Sequence, residues 1–167
     1  KMVAAQDRSN KGKEFWLGYG HSYSFTYDDG PGAPINSQTL TLYISAEEAA
    51  TVTISVSGTS WSQVVNIPAN SVDFSVVLPK NGPSDCRILD EGLSGRGVHI
   101  ESTVPIVVYA HEFNTQLSGA TMLMPVETYG YSYYSVNYTQ SQFFFDVYSW
   151  FFVVASEDNT RLEITPS

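Results

Sequence analysis

His111 and Glu112, in YAHEFNT, are residue types that a zinc hydrolase uses together. That chemistry places two histidines one helical turn apart on the same face, as HExxH, with the glutamate as general base. Here position 115 is Thr, so the second ligand is missing. His111 closes a strongly apolar run and reads as a histidine at the edge of a core. Cys86, in PSDCRIL, is the single cysteine. A nucleophilic thiol needs a depressed pKa and a base at hand, and a neighbouring Arg87 alone is thin support; Cys86 reads as a free thiol in or under a loop. GLSGRG (92–97) falls short of G-x-S-x-G because Arg96 occupies the last glycine position, and it lacks the strand-then-helix setting of a nucleophile elbow. Ser94 is therefore read as part of a turn. Glu47 and Glu48 offer two carboxylates, where calcium takes about six to eight oxygens. His21, His99 and His111 show no metal-ligand spacing, so no metal and no cofactor is expected. Asn137-Tyr138-Thr139 is a formal glycosylation sequon.

The unusual chemistry lies in aromatic residues. YGYSYYSVNYTQSQFFFDVYSWFF (129–152) holds 12 of the 23 aromatic residues and a single charge, Asp146. That is more ring surface than one small core takes up on alternating strand faces. Tyr and Trp combine a flat apolar face with a polar tip. The candidate ligand-binding residues are Tyr131, Tyr133, Tyr134, Tyr138, Phe143, Phe144, Tyr148 and Trp150, with at least two of them expected to face solvent. Packing into the core or against a neighbouring domain is the alternative use of the same rings.

The elements that must carry these residues are strands. The chain of 167 residues is 43% hydrophobic but only 15% charged, against about 25% in an average soluble protein. Ser, Thr, Val and Tyr take the place of Lys and Glu, which suits a β surface. Short alternating runs recur: FWLGYG (15–20), residues 40–45, 52–56, WSQVVNI (61–67), SVDFSVVL (71–78), GVHIES (97–102), PIVVYAHEF (105–113), TMLMPV (121–126), YSYYSVNY (131–138), WFFVVA (150–155) and RLEITP (161–166). Turn residues separate them, and residues 24–38 read as a long loop. The fold class expected is all-β, an antiparallel β-sandwich of roughly 9–11 short strands.

YISAEEAATVTISV (43–56) aligns without a gap on VVASEDNTRLEITP (153–166), an offset of 110 residues. AEEAA, a helix former by propensity, falls on SEDNT, a turn former. AEEAA is therefore expected to be a hairpin tip joining adjacent strands at 43–45 and 51–56. The repeat points to a two-unit architecture: a lead-in at 1–13, a β-sandwich at 14–148, and a hairpin at 149–167 that either starts a second unit or completes the first sheet.

The segments GKEFWLGY (12–19), ATVTISV (50–56), VNIPANSV (65–72), GRGVHIESTVPIVVYAHE (95–112), MPVETYGYSYYSVNY (124–138) and FFVVASEDNTRLEITP (151–166) occur in this order. Together they resemble the N-terminal domain family of the IgG Fc-binding mucus protein, which also occurs in bacterial secreted and surface proteins. The resemblance implies an extracellular, all-β, non-catalytic module, with a second half following the EDNT…ITP element. The single cysteine fits a bacterial member better than the cysteine-rich vertebrate ones.

Charge narrows the partners. The net charge is −9, and the eight Lys and Arg are scattered, so nucleic acid and anionic membrane are poor partners. No apolar run reaches the roughly 18–20 residues of a membrane span. Three function classes follow. A secreted or cell-surface adhesive module binding a protein or a glycan is favoured by the aromatic strip and the resemblance, with immunoglobulin Fc an open question as ligand. A structural spacer in a long surface protein, packed against further domains of the same polypeptide, is favoured by the repeat. An enzyme is disfavoured, since no constellation passes a spacing test.

Overall fold

The computed structural model describes residues 9–26, 35–137 and 149–165. They form an antiparallel sheet of seven strands: β1 (Gly12–Leu17), β2 (Thr39–Ala46), β3 (Ala50–Val56), β4 (Ser62–Ile67), β5 (Ser71–Asp73), β6 (Val98–Phe113) and β7 (Ser118–Met122). The only α-helical element among the described residues is the short one at Tyr23–Thr26. The all-β, antiparallel class expected from the sequence is the one observed.

β6 organises the sheet. Along one side, β2 pairs with its second half, from Thr39↔Phe113 to Ala46↔Ile106, and β3 pairs with its first half, from Val52↔Ser102 to Val56↔Val98. β1 and β7 occupy the other side, against the first and second halves respectively. Ile106 is registered with both Gly12 and Ala46, which fixes β1 and β2 on opposite sides of it. β2 and β3 are thus two lengths of one path, and AEEAA is neither a helix nor a hairpin tip. The expected pairing of 43–45 with 51–56 does not occur. Residues 47–51 span the gap that 103–105 span on β6, so the surplus bulges outward at a corner. Glu47, Glu48 and Ala49 stand exposed there.

The next strand bends at the same place. β4 pairs with β3, and β5 with β2. Between them Pro68-Ala69-Asn70 lies opposite Glu47–Ala49, with the Asn70 N–H donating to the Glu47 carbonyl at 3.2 Å. Asn70 holds φ 57°, a left-handed conformation that Asn tolerates better than most residues. On β6 the corner is Thr103-Val104-Pro105. Pro105 reads in the sequence as a break between two strands, yet β6 is continuous. Neither flank pairs with these three residues, so the missing proline N–H costs no ladder bond. The Thr103 hydroxyl instead accepts the Thr51 N–H at 3.0 Å. Strands that switch direction at such corners wrap one sheet around one core.

That core follows period-two alternation. Leu40, Leu42, Ile44, Val52, Ile54, Val56, Val98, Ile100, Ile106 and Val108 point inward and are fully buried, joined by Phe15, Val76 and Leu78. The β3–β4 hairpin turns at Gly58, with φ 69°. Thr59 ties that turn by donating from its hydroxyl to the Val56 carbonyl at 2.8 Å.

Three expected strands are not formed. Residues 131–137, 150–155 and 161–165 carry no strand pairing, so Tyr131, Tyr133 and Tyr134 are not sorted onto two strand faces. The second copy of the repeat does turn where SEDNT was expected to. Asn159 has φ 61°, and the Thr160 hydroxyl donates to the Glu157 carbonyl at 2.8 Å.

Candidate binding surface

The residues that raised the question of catalysis are dispersed. His111 and Glu112 project to opposite faces of β6. His111 Nε2 lies 2.9 Å from Ser118 Oγ on the outer face, while Glu112 accepts from the Ser24 hydroxyl at 3.4 Å. His99 sits at the other end of β6, stacked on Trp16 with ring centroids 4.2 Å apart and within 3.0 Å of a Glu14 oxygen. His21 meets the edge of Trp150 at 6.4 Å. Among the described residues no three His, Cys, Asp or Glu side chains gather as a metal would require.

Cys86 is fully buried. Burial pushes its thiol up to about 12, and the Asp85 carboxylate adds to the shift, so the thiolate that a nucleophile requires is disfavoured. Tyr19 lies nearby, its phenol raised far above the usual range, chiefly by burial. Its hydroxyl donates toward the carbonyls of Thr41 and His111 at 3.3 and 3.4 Å, cross-linking β2 to β6. Asp85 and Arg87 form a nearly buried pair with Nη2–Oδ2 at 2.6 Å. Arg87 also donates to Asn36 Oδ1 at 2.9 Å and lies over the Phe25 ring. An open cleft of about 370 Å³ runs beside this pair, past Asp90, Ser94 and Arg96. Its lining mixes both signs, Asp85, Asp90 and Glu91 with Arg87 and Arg96, and the Ser94 hydroxyl accepts the Arg96 backbone N–H at 3.2 Å.

The aromatic segment behaves differently along its length. Its start is anchored on β1. Pro125 packs against Gly12, where a Cβ would meet it at 2.2 Å. Tyr129 is half-buried and hydrogen-bonded to the Trp16 backbone, its phenol raised chiefly by that burial. Beyond it the chain leaves the sheet. Tyr131 and Tyr134 are fully exposed and Tyr133 largely so; the Tyr133 hydroxyl accepts the Gly130 N–H at 2.7 Å. Tyr138, Phe143, Phe144 and Tyr148 lie outside the described residues. Trp150 and Phe152 stack on each other at 5.6 Å and pack close against Gly20 and Gly18. A Cβ on Gly20 would sit 2.1 Å from the Trp150 ring, and one on Gly18 would sit 2.7 Å from Phe152. These glycines open the shallow floor that the two rings use, and Trp150 keeps 47% of its surface exposed.

A second exposed aromatic group was not singled out from the sequence. Phe74, Tyr43 and Tyr109 line up across the outer face beside His111 and Phe113. They are distant in the chain, and only the strand register brings them together.

No curated protein and no solved structure matches the chain. The segment carrying the exposed tyrosines and the Trp150–Phe152 pair falls instead within residues 119–167, which match the family model described as IgGFc binding protein, the family that the sequence motifs resemble.

Proposed function

We propose that this chain is a secreted or cell-surface binding module that holds an extracellular protein through the exposed rings of residues 131–134 and 150–152. The observation that carries this reading is a coincidence of place. Tyr131, Tyr133 and Tyr134 project into solvent inside the very segment that matches a family described by what it binds. Exposed aromatic groups of this kind mark contact sites on protein surfaces, and buried aromatic anchors dominate the energetics of complexes. Catalysis is not part of the proposal. Among the described residues no helix is long and apolar enough to cross a membrane. Immunoglobulin Fc is the first ligand to test, because the family description names it. Immobilised Fc should retain the chain, and the triple variant Tyr131→Ser, Tyr133→Ser, Tyr134→Ser should lose at least tenfold in affinity with its thermal unfolding unchanged. Equal binding by the variant would remove the rings from the interface.

A second reading, a spacer packed against neighbouring units, is favoured by the repeat. Val52 and Ile54 are fully buried, whereas their counterparts Leu162 and Ile164 are 55% and 57% exposed. Among the described residues the second copy thus carries core-type side chains left half open, which supports a segment that packs on a neighbouring unit.

A further inference from the structure

The outer face of the sheet changes character along β6. Around its first half it is charged and mixed: Thr53 is registered with Glu101, Ser55 with His99, and Glu14 stands on β1 opposite Glu101, beside Trp16 stacked on His99 and the exposed Val64. Around its second half it is apolar. Tyr43 is registered with Tyr109 and Tyr109 with Met122, while Phe74 stacks on Tyr43 with ring centroids 6.2 Å apart. His111 and Phe113 continue the surface, stacked at 4.9 Å. Phe74 is 68% exposed. Among the described residues, no Asp, Glu, Lys or Arg stands on this half of the face. A hollow of about 320 Å³ opens between Tyr43, Tyr109, His111 and Ala120, where the small Ala120 side chain leaves space opposite His111.

We infer that this face is a second binding site, separate from the tyrosines of 131–134, and that its ligand is a neutral pyranose sugar in a short oligosaccharide. Two features select that occupant. The first is charge. The chain carries −9 overall and repels anions, while among the described residues the face has no carboxylate to pair a cation. An uncharged ligand is what it suits. Aromatic rings present flat apolar surface to the C–H face of a sugar, and Tyr hydroxyls, His111 and Ser118 at the rim reach its hydroxyls. The second feature is size. Four strands spaced about 4.8 Å apart and some six residues long give a patch of roughly 400 Å². A stable protein interface takes about 800 Å² from each partner. The apolar patch alone thus supplies about half of what such an interface takes, whereas the shallow hollow of about 320 Å³ matches the scale of one six-membered ring.

The test is an amide-resolved NMR titration of the full chain with methyl β-D-glucopyranoside, cellobiose and N,N′-diacetylchitobiose. At least one of these should saturably shift the amides around Tyr43, Tyr109, His111 and Ala120. Tyr109→Ser and Tyr43→Ser should each weaken that response about tenfold. Tyr43→Phe, which keeps the ring, should retain most of it, and unchanged spectra elsewhere would show that the variants fold. High salt should leave the affinity unaltered. Absence of shifts at this face with all three sugars overturns the proposal. So does a concentration-dependent dimer in sedimentation that Tyr109→Ser abolishes, which would make a second copy the occupant. If the sugar response is lost with Tyr131→Ser instead, this site falls while the proposed binding role of 131–134 stands.

Discussion

Ile54 and Ile164 are the same residue in the two copies of the repeat, and they allow one substitution to be made twice. Ile54 is fully buried between β4 and β6. Truncation to Ala removes three carbons from a core of buried side chains and leaves a cavity among them, a change that costs about 2–5 kcal/mol. Its place midway along a strand paired on both sides leaves little freedom for collapse, which puts the cost near the middle, about 3.5 kcal/mol. For a chain of this size each kcal/mol lowers the unfolding temperature by roughly 2–4 °C, so a fall of about 10 °C is expected. Ile164→Ala acts on a side chain that is 57% exposed with no strand partner, and should stay within about 0.5 kcal/mol. Urea unfolding followed by far-UV circular dichroism and tryptophan fluorescence together reads both values, and coincidence of the two probes justifies a two-state fit. Equal losses for the two variants would refute the reasoning. They would mean that residues 161–165 pack in a core of their own, and that the burial contrast between the copies is not a property of the chain in solution.

Three further outcomes are expected. Gly20→Ala places a methyl group where the Trp150 ring lies; because that ring is the far end of a half-exposed side chain, tryptophan fluorescence should shift to the red while stability falls by less than about 1 kcal/mol. Cys86, with its thiol buried and pushed up to about 12, should resist alkylation by iodoacetamide at neutral pH until the chain is unfolded; prompt labelling of the native protein would contradict the structure. Burial alone would raise the Asp85 pKa, but hydrogen bonds and the charge of Arg87 outweigh it and hold the carboxyl below its usual range. The stability this supplies is complete above the unfolded carboxylate pKa of about 3.9 and is lost as pH falls through the lower folded value. Asp85→Asn should cost about 1.5–3 kcal/mol at neutral pH and flatten this part of the acid limb, as measured by urea unfolding at a series of pH values.

The inward set of the core was legible in the sequence because alternation is local: Leu40, Leu42 and Ile44, then Val52, Ile54 and Val56, announce one face each. The antiparallel all-β class followed from the same runs. What joined the runs was not legible. AEEAA looks like a hairpin tip because polar and small residues interrupt two strands, yet a corner in a bent strand interrupts them in the same way. Only the partner, β6, distinguishes the two, and it lies some fifty residues further on. Pro105 misled for a related reason, since a proline marks a strand end unless pairing has already lapsed on both sides. The exposed rings at Tyr131, Tyr133 and Tyr134 were signalled by composition, because a segment with so many aromatics exceeds what its own faces can bury. The apolar outer face gave no such signal. Tyr43 and Tyr109 lie in separate strands and Phe74 just beyond β5, and they become a surface only when β2, β5 and β6 pair.

The position of β6 in the chain sets a timetable for folding. Thr39 finds its partner at Phe113, and Val56 finds its partner at Val98. Until residues 98–113 leave the ribosome, β2 through β5 can form only a bent ribbon whose whole inner row of Leu, Ile and Val faces water. Closure of so distant a pairing is slow, and a ribbon waiting with one apolar face open is the species most exposed to misassociation. The arrival of β6 then completes both arms and seats β1 and β7 on its other side. The sheet should therefore close in one step when β6 arrives, with the strands that precede it in the chain held open until then.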